Sequence, residues 1–226
     1  MREYPAGDDG LLLDFSGRDD PPRTAARVAD ALRAAAAAGS LSVADVIAAA
    51  ETVLVEALPG TGINELGVRR AVHDVLASDD RGASDDASST APIVVSTVYD
   101  GPDLTDAATA AGCSTDELVR AHTAVLWRVQ FMGFAPGFGY LVPDVTSDII
   151  DIRTLAAIGR HDQSRPAVPA GSVAVAAGYS AVYPRESPGG WQLLGRTALQ
   201  MWNSAANPPA LLAAGTAVRF VDGEAS

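Results

Sequence analysis

Leu126–Leu141 reads LWRVQFMGFAPGFGYL, and two rules of chain conformation meet within it. Leu126–Phe134 is apolar and rich in aromatic and β-branched residues, which favours a strand. Gly133–Leu141 then interleaves Gly133, Gly137, Gly139 and Pro136 with Phe134, Phe138 and Tyr140. Glycine opens backbone conformations closed to other residues and proline fixes φ, so this run is neither ordinary strand nor helix. Two readings fit it: an aromatic-lined pocket wall, or a Gly/Pro corner of a β-barrel with its aromatic rings in the core. Downstream, Ser172–Ala177, Trp191–Leu194, Ala198–Trp202 and Ala217–Val221 repeat the pattern of short β-rich segments separated by Gly and Pro. That spacing predicts a barrel or sandwich.

Upstream the character changes. Ile93–Val98 is a β-branched strand, followed by two short helices within Leu104–His122. Asp103 is the expected cap of the first and Gly112 its end, while Ser114–Glu117 (STDE) is a capping box that starts the second. The pair resembles a helix-turn-helix, but the second helix opens on Asp116 and Glu117 where a recognition helix would offer Arg, Asn or Gln. A helical hairpin packed on the barrel is the expected arrangement. Before it, Ser78–Pro92 (SDDRGASDDASSTAP) lacks apolar periodicity and reads as a linker. The first 77 residues give a strand at Gly10–Phe15, a helix at Pro21–Ala38 bounded by Pro21, Pro22 and Gly39, strands at Leu41–Ile47 and Thr52–Leu58, and a helix from about Asn64 to Leu76. The β-α-β-β-α order predicts a small sandwich, so the fold class is α+β, with a small N-terminal α/β sandwich (1–77), a linker (78–92) and a barrel domain (93–226). No internal repeat is present.

Composition narrows the chemistry. All 16 cations are arginine against 28 Asp and Glu, a net charge of −12 over 226 residues. Without lysine the chain cannot hold a Walker A phosphate loop, form a Schiff base or carry biotin or lipoate. The acidic balance disfavours nucleic acid and anionic membranes as partners. Cys113 is the only cysteine, which excludes an internal disulfide and a multi-cysteine zinc site within one chain. Acids near the N-terminus, in place of a signal peptide's cations, make the cytoplasm the expected compartment. His73, His122 and His161 are widely spaced and fit no zinc-protease motif, and the closest approach to a nucleophile elbow, Gly178–Val182, lacks its final glycine.

Three arginines remain as candidates. Arg160 and Arg165 precede VPAGSV (Val168–Val173), where Gly171 and Ser172 could turn N–H groups or a hydroxyl toward an anion. Arg196 lies in SPGGWQLLGRT (Ser187–Thr197), after the Tyr183–Pro184 turn. Either these guanidinium groups recognise a carboxylate or phosphate, or they are surface arginines in turns.

The succession of His122, GFAPGFGYL, two arginines before VPAGSV, the YP turn and SPGGWQLLGRT resembles the family of the B-type 5-oxoprolinase subunit, also described as allophanate hydrolase subunit 1 and related to an inhibitor of a sporulation kinase. Three departures from its usual pattern stand out: Gly139 stands for proline, Gly159 and Ser164 replace prolines before the arginines, and Tyr179–Ala181 replace Gln-Thr-Gly. The resemblance implies that the second domain is a cyclophilin-like β-barrel carboxyltransferase domain. It implies an enzyme subunit, inactive alone, in an ATP-dependent complex that opens 5-oxoproline to glutamate or processes a related amide such as allophanate. Its partners would be a companion carboxyltransferase-domain subunit (the C-type 5-oxoprolinase subunit, or allophanate hydrolase subunit 2) and a lactam-handling protein of the A-type. ATP with Mg would act through the complex, and no biotin would be attached to this chain. Carried onto this sequence, the resemblance puts His122, Arg165 and Ser172 in catalysis, with His122 as acid or base. Pro136, Gly137, Phe138, Tyr140, Arg160, Gly171, Tyr183, Trp191 and Arg196 would bind substrate, Arg160, Arg165 and Arg196 holding its charge beside an N–H cradle at Gly171 and Ser172. The alternative is a regulatory protein that binds and inhibits a sensor histidine kinase. A prolyl isomerase would rest on barrel analogy alone.

Overall fold

A computed structural model describes residues 1–79, 91–144 and 146–223. The chain divides into two compact units, Met1–Ala87 and Ser88–Ser226. In the first, β1 (Arg2–Pro5), β2 (Gly10–Asp14), α1 (Pro21–Ala37), β3 (Asp45–Ala48), β4 (Thr52–Glu56) and α2 (Glu65–Asp79) follow in order. The strands form an antiparallel sheet in the order β1-β2-β4-β3. α1 starts where Pro21 and Pro22 occupy its first turn and the Asp20 carboxylate accepts the Arg23 N–H. Its buried side chains, Thr24, Ala25, Val28, Ala29 and Leu32, recur at helical spacing and meet Leu11, Leu13, Phe15, Val53 and Val55 of the sheet side together with Val68 and Val72 of α2.

Sequence reading missed β1 and placed one strand too early. Leu41 is pulled into the core by its N–H bond to Ala35 O (3.2 Å), and pairing begins only at Asp45, opposite Glu56. Most of the linker expected over 78–92 lies outside the described residues. α2 itself runs on to Asp79.

The second unit contains β5 (Ile93–Thr97), α3 (Leu104–Ala111), α4 (Thr115–Ala124), β6 (Trp127–Met132), β7 (Gly139–Pro143), α5 (Ile149–Ala156), β8 (Arg165–Val168), β9 (Ser172–Ala176), β10 (Tyr179–Val182), β11 (Ser187–Gly189), β12 (Gln192–Arg196) and β13 (Ala217–Asp222). Seven strands form one sheet in the order β12-β9-β10-β7-β6-β13-β5, and β8 pairs with β11 separately. Only β13 and β5 are parallel. The first and last strands also meet: Val98 and Arg196 exchange two backbone hydrogen bonds of 2.9 Å, so the sheet curls into a nearly closed barrel.

Side-chain alternation then divides the apolar residues between two faces. One core takes residues from all seven strands, among them Val95, Trp127, Leu141, Val173, Val182, Leu194 and Phe220, together with Ala107 and Ala108 of α3, Leu118 of α4 and Leu155 of α5. Because every strand of a closing sheet contributes, this is the barrel interior. A second cluster, with Phe138, Ala174, Ala176, Ala181, Tyr183, Trp191 and Leu193, lies on the outer face of the adjacent strands β12, β9, β10 and β7. β9 is buried at all five positions because both of its faces are covered.

The strand expected over Ala198–Trp202 does not form. Trp202 makes one bridge to Ala210, and Pro208 and Pro209 in the returning segment lack the N–H groups a ladder needs. At α4 the capping box is present: the Ser114 hydroxyl accepts the Glu117 N–H and the Glu117 carboxylate accepts the Ser114 N–H (2.9 Å). Ser114→Ala is expected to cost about 1 kcal/mol of stability in denaturant unfolding, with little change when Thr115 is replaced instead. Among the described residues no helix is long and apolar enough to cross a membrane.

Candidate functional site

The outer aromatic cluster borders a cleft of about 510 Å³, walled by Phe134, Phe138, Tyr140, Tyr179, Tyr183 and Trp191 and completed by Arg160, Ser164, Ala176, Ala177 and by Pro188, Gly189 and Gly190 at the end of β11. Its geometry begins in Gly133–Leu141. β6 and β7 are a hairpin whose connection contains Pro136 and Gly137, so the irregular run is a turn followed, from Gly139, by a strand. Gly137 has φ +82°, and a Cβ there would lie 2.8 Å from the Trp202 Cβ. Only glycine fits this turn. Phe134 adopts φ +65° with 57% of its surface exposed. A bulky residue in the left-handed region stores strain, and such strain concentrates at ligand sites.

Ring packing orders the cleft. Phe138 is the hub, with centroids 5.1 Å from Phe134, 5.0 Å from Tyr140, 5.3 Å from Tyr183 and 5.7 Å from Trp191, all edge-on. Phe131 stacks behind Tyr140 at 4.3 Å, and the Tyr179 hydroxyl donates to Gln130 Oε1 at 3.2 Å. Burial raises the Tyr140 and Tyr183 pKa values, opposed by the nearby Arg160 charge. Arg160 forms no ion pair with a carboxylate among the described residues. Both readings of the aromatic motif are therefore realised at once: the rings pack as an outer core and also wall a cleft.

The other expected site residues separate from it. His122 is fully buried in the barrel interior and lines no part of the cleft. Its ring packs on Trp127 and Phe220, Nδ1 meets the Tyr99 hydroxyl at 2.7 Å, and Nε2 meets Ser180 Oγ at 2.9 Å. Desolvation lowers its pKa to about 3, so the ring is neutral, one nitrogen donating and the other accepting. A proton shuttle needs a path to solvent or to the cleft, and this ring is closed to solvent and lies outside the cleft lining. Ser172 is buried in β9, its N–H directed to Pro169 O, and the Gly171 N–H donates to Tyr183 O at 2.8 Å. These amides are occupied, so the expected anion cradle is corrected to a strand junction. Gly171 is glycine because it has φ +79° and lies against Thr197 O.

Arg165 is likewise reassigned. Its guanidinium ion-pairs with Asp103 and donates to Trp191 O at 3.4 Å, behind the cleft wall. Arg196 pairs with Asp100 at 2.9 Å on an exposed edge, and Pro136 and Gly137 shape the hairpin without lining the cleft. Phe138, Tyr140, Arg160, Tyr183 and Trp191 are the expected binding residues that converge. Sequence reading missed Asp103, which it treated as a helix cap. The structure gives it no capping bond; its buried carboxylate turns instead to Arg165 and to the Leu193 N–H at 2.7 Å.

Residues 1–212 match the family described as carboxyltransferase domain, subdomain C and D. The chain belongs to that family. The carboxyltransferase-domain chain is 40% identical over 121 residues to the B-type 5-oxoprolinase subunit of Bacillus subtilis and 41% identical over 123 residues to that of Escherichia coli O157:H7. These stretches cover 54% of it and 47% and 52% of the relatives, so it spans about half the length of the curated relatives it matches. Among solved structures it resembles TTHA0988 (TM-score 0.74, 27% identity, 96% of this chain, 40% of that one). It also resembles the uncharacterized PH0987 of Pyrococcus horikoshii (TM-score 0.51, 28% identity, 98% and 97%). Urea amidolyase of Kluyveromyces lactis shares the fold at 16% identity, with TM-score 0.68 over 97% of this chain and 14% of that one.

Proposed function

We propose that this chain is one subunit of an ATP-dependent amide-processing complex of the 5-oxoprolinase type, converting 5-oxoproline to glutamate. In this reading its second domain, joined to the first through 78–92, is a cyclophilin-like barrel, and its companions are a second carboxyltransferase-domain subunit and a lactam-handling protein. One observation carries the reading: an aromatic-walled cleft of about 510 Å³ with Arg160, free of any carboxylate partner among the described residues, at its edge. 5-Oxoproline is a flat five-membered lactam with a single carboxylate. Its ring suits the faces of Tyr140, Tyr179 and Trp191, and its carboxylate suits a guanidinium fork. The names of the relatives that match at 40% and 41% identity support the same substrate.

Mg-ATP does not suit the cleft. A triphosphate calls for several cations and a carboxylate-held metal, whereas the lining offers one arginine and no acid. Among the described residues no group of three or more His, Cys, Asp or Glu could hold a metal ion. The nucleotide therefore belongs, in this reading, to a partner protein.

The test is 5-oxoproline-dependent ATP hydrolysis by this chain alone, by its partners alone and by the reconstituted mixture. Turnover is expected only in the full mixture. Equal turnover by the partners without this chain would reject the reading.

A further inference from the structure

Arg160 and Arg165 are five residues apart, yet only one presents an uncompensated charge at the cleft. Arg160 lines it and forms no ion pair among the described residues. Arg165 sits one layer behind, held to the Trp191 carbonyl, and its field reaches the Tyr183 hydroxyl together with that of Arg160. What separates them is Asp103. This residue is 4% exposed, and its carboxylate binds the Arg165 guanidinium, accepts the Leu193 N–H at 2.7 Å and lies 3.3 Å from His161 Nε2. Those partners come from β8, from β12 and from the segment that carries Arg160. The backbone N–H of His161 donates to Gly190 O at 2.8 Å, in the cleft rim. The carboxylate stands at the cap position of α3 and makes no capping bond there, one oxygen being bonded to Arg165 and the other to the Leu193 N–H.

We infer that Asp103 is a specificity-determining residue: by neutralising Arg165 it leaves Arg160 as the single uncompensated cation at the cleft and so tunes the site to ligands with one carboxylate. The inference rests on the carboxylate-binding reading of the cleft and extends it to charge selection. An unpaired second guanidinium just behind Trp191 would attract a second anionic group, and an ion pair to the buried Asp103 carboxylate suppresses that attraction while keeping the wall in place.

The test is direct binding to the purified chain, by calorimetry, of cyclopentanecarboxylate and cis-cyclopentane-1,3-dicarboxylate, two rings that differ by one carboxylate. Wild type is expected to prefer the monoacid, and Arg160→Gln to weaken both acids by about tenfold or more. Asp103→Asn is expected to move the preference toward the diacid by about fivefold or more. Asp103→Asn combined with Arg165→Gln removes both charges of the pair and is expected to restore the wild-type preference, with monoacid affinity within about threefold. An unchanged preference in Asp103→Asn would overturn the inference. If that variant does not fold, the double variant decides: a loss of monoacid binding as large as that of Arg160→Gln overturns it. No binding of either acid by wild type overturns it as well. Failure of turnover in the reconstituted mixture, with the acids bound as expected, would reject the proposed reaction and leave the charge selection standing.

Discussion

Lowering the pH from 7.5 to 4.5 is expected to remove about 2–3 kcal/mol of stability through His122 alone. The folded ring has its pKa pushed from 6.5 down to about 3 by complete burial, so the unfolded chain takes up a proton that the folded chain refuses. The stabilisation is therefore complete above the unfolded value near 6.5 and is lost as the pH falls toward 3, at about 1.4 kcal/mol per pH unit. Glu117 and Asp144, whose hydrogen-bonded carboxyl groups titrate below their ordinary values, add their own acid sensitivity at lower pH. The comparison protein is thus His122→Gln, which keeps one donor and one acceptor between Tyr99 and Ser180. Urea unfolding of both proteins at the two pH values isolates the ring: the variant should lose less by that 2–3 kcal/mol. Equal losses would show that His122 reaches solvent and titrates normally, which would return it to the candidate acids and bases.

A second large effect is expected at Phe138. Its side chain is 2% exposed and touches four of the rings that wall the cleft, so Phe138→Ala leaves a cavity beneath all of them. The cost should be about 3–5 kcal/mol, read as a lower urea midpoint, with loss of ring-ligand binding. Phe134→Ala is the informative control. With 57% of its surface exposed and its backbone held at φ +65°, Phe134 contributes little to the core. Its removal should change stability by less than about 1 kcal/mol while weakening ring-ligand binding several-fold. A stability loss at Phe134 matching that at Phe138 would mean that both rings serve packing alone.

The sequence carried the fold further than the site. Helix limits were legible where capping chemistry is local: Asp20 with Pro21 and Pro22, and Ser114 with Glu117, fix their helices through bonds spanning three residues. The strands β7, β8, β10 and β11 were not: Gly and Pro within or beside them read as loop, and β8 and β11 pair with each other across about twenty residues. The same distance dependence governs the site. The aromatic rings and Arg160 announced themselves by their types and spacing. Nothing local, however, distinguished Arg160 from Arg165: that difference is made by Asp103, 62 positions from Arg165. His122 was legible as important for a reason other than the expected one. Its neighbours in space, Tyr99, Ser180, Trp127 and Phe220, come from separate strands and segments, and they make it an interior hydrogen-bonding strut.

The bridge between Val98 and Arg196 bears on how this protein behaves in crowded solution. An open seven-stranded sheet would offer two rows of unsatisfied amides and carbonyls, each able to recruit a strand from another molecule. Here the chain beyond β5 lies along β12, with Gly101 N–H on Leu194 O at 3.0 Å and Asp103 N–H on Leu193 O at 3.2 Å, and the two rows cover each other. The N-terminal sheet keeps free borders at β1 and β3, but each is only four residues long and carries charge or proline, namely Arg2, Glu3 and Pro5 on one and Asp45 on the other. Ring closure in one unit and short charged borders in the other are two independent defences against strand-mediated aggregation.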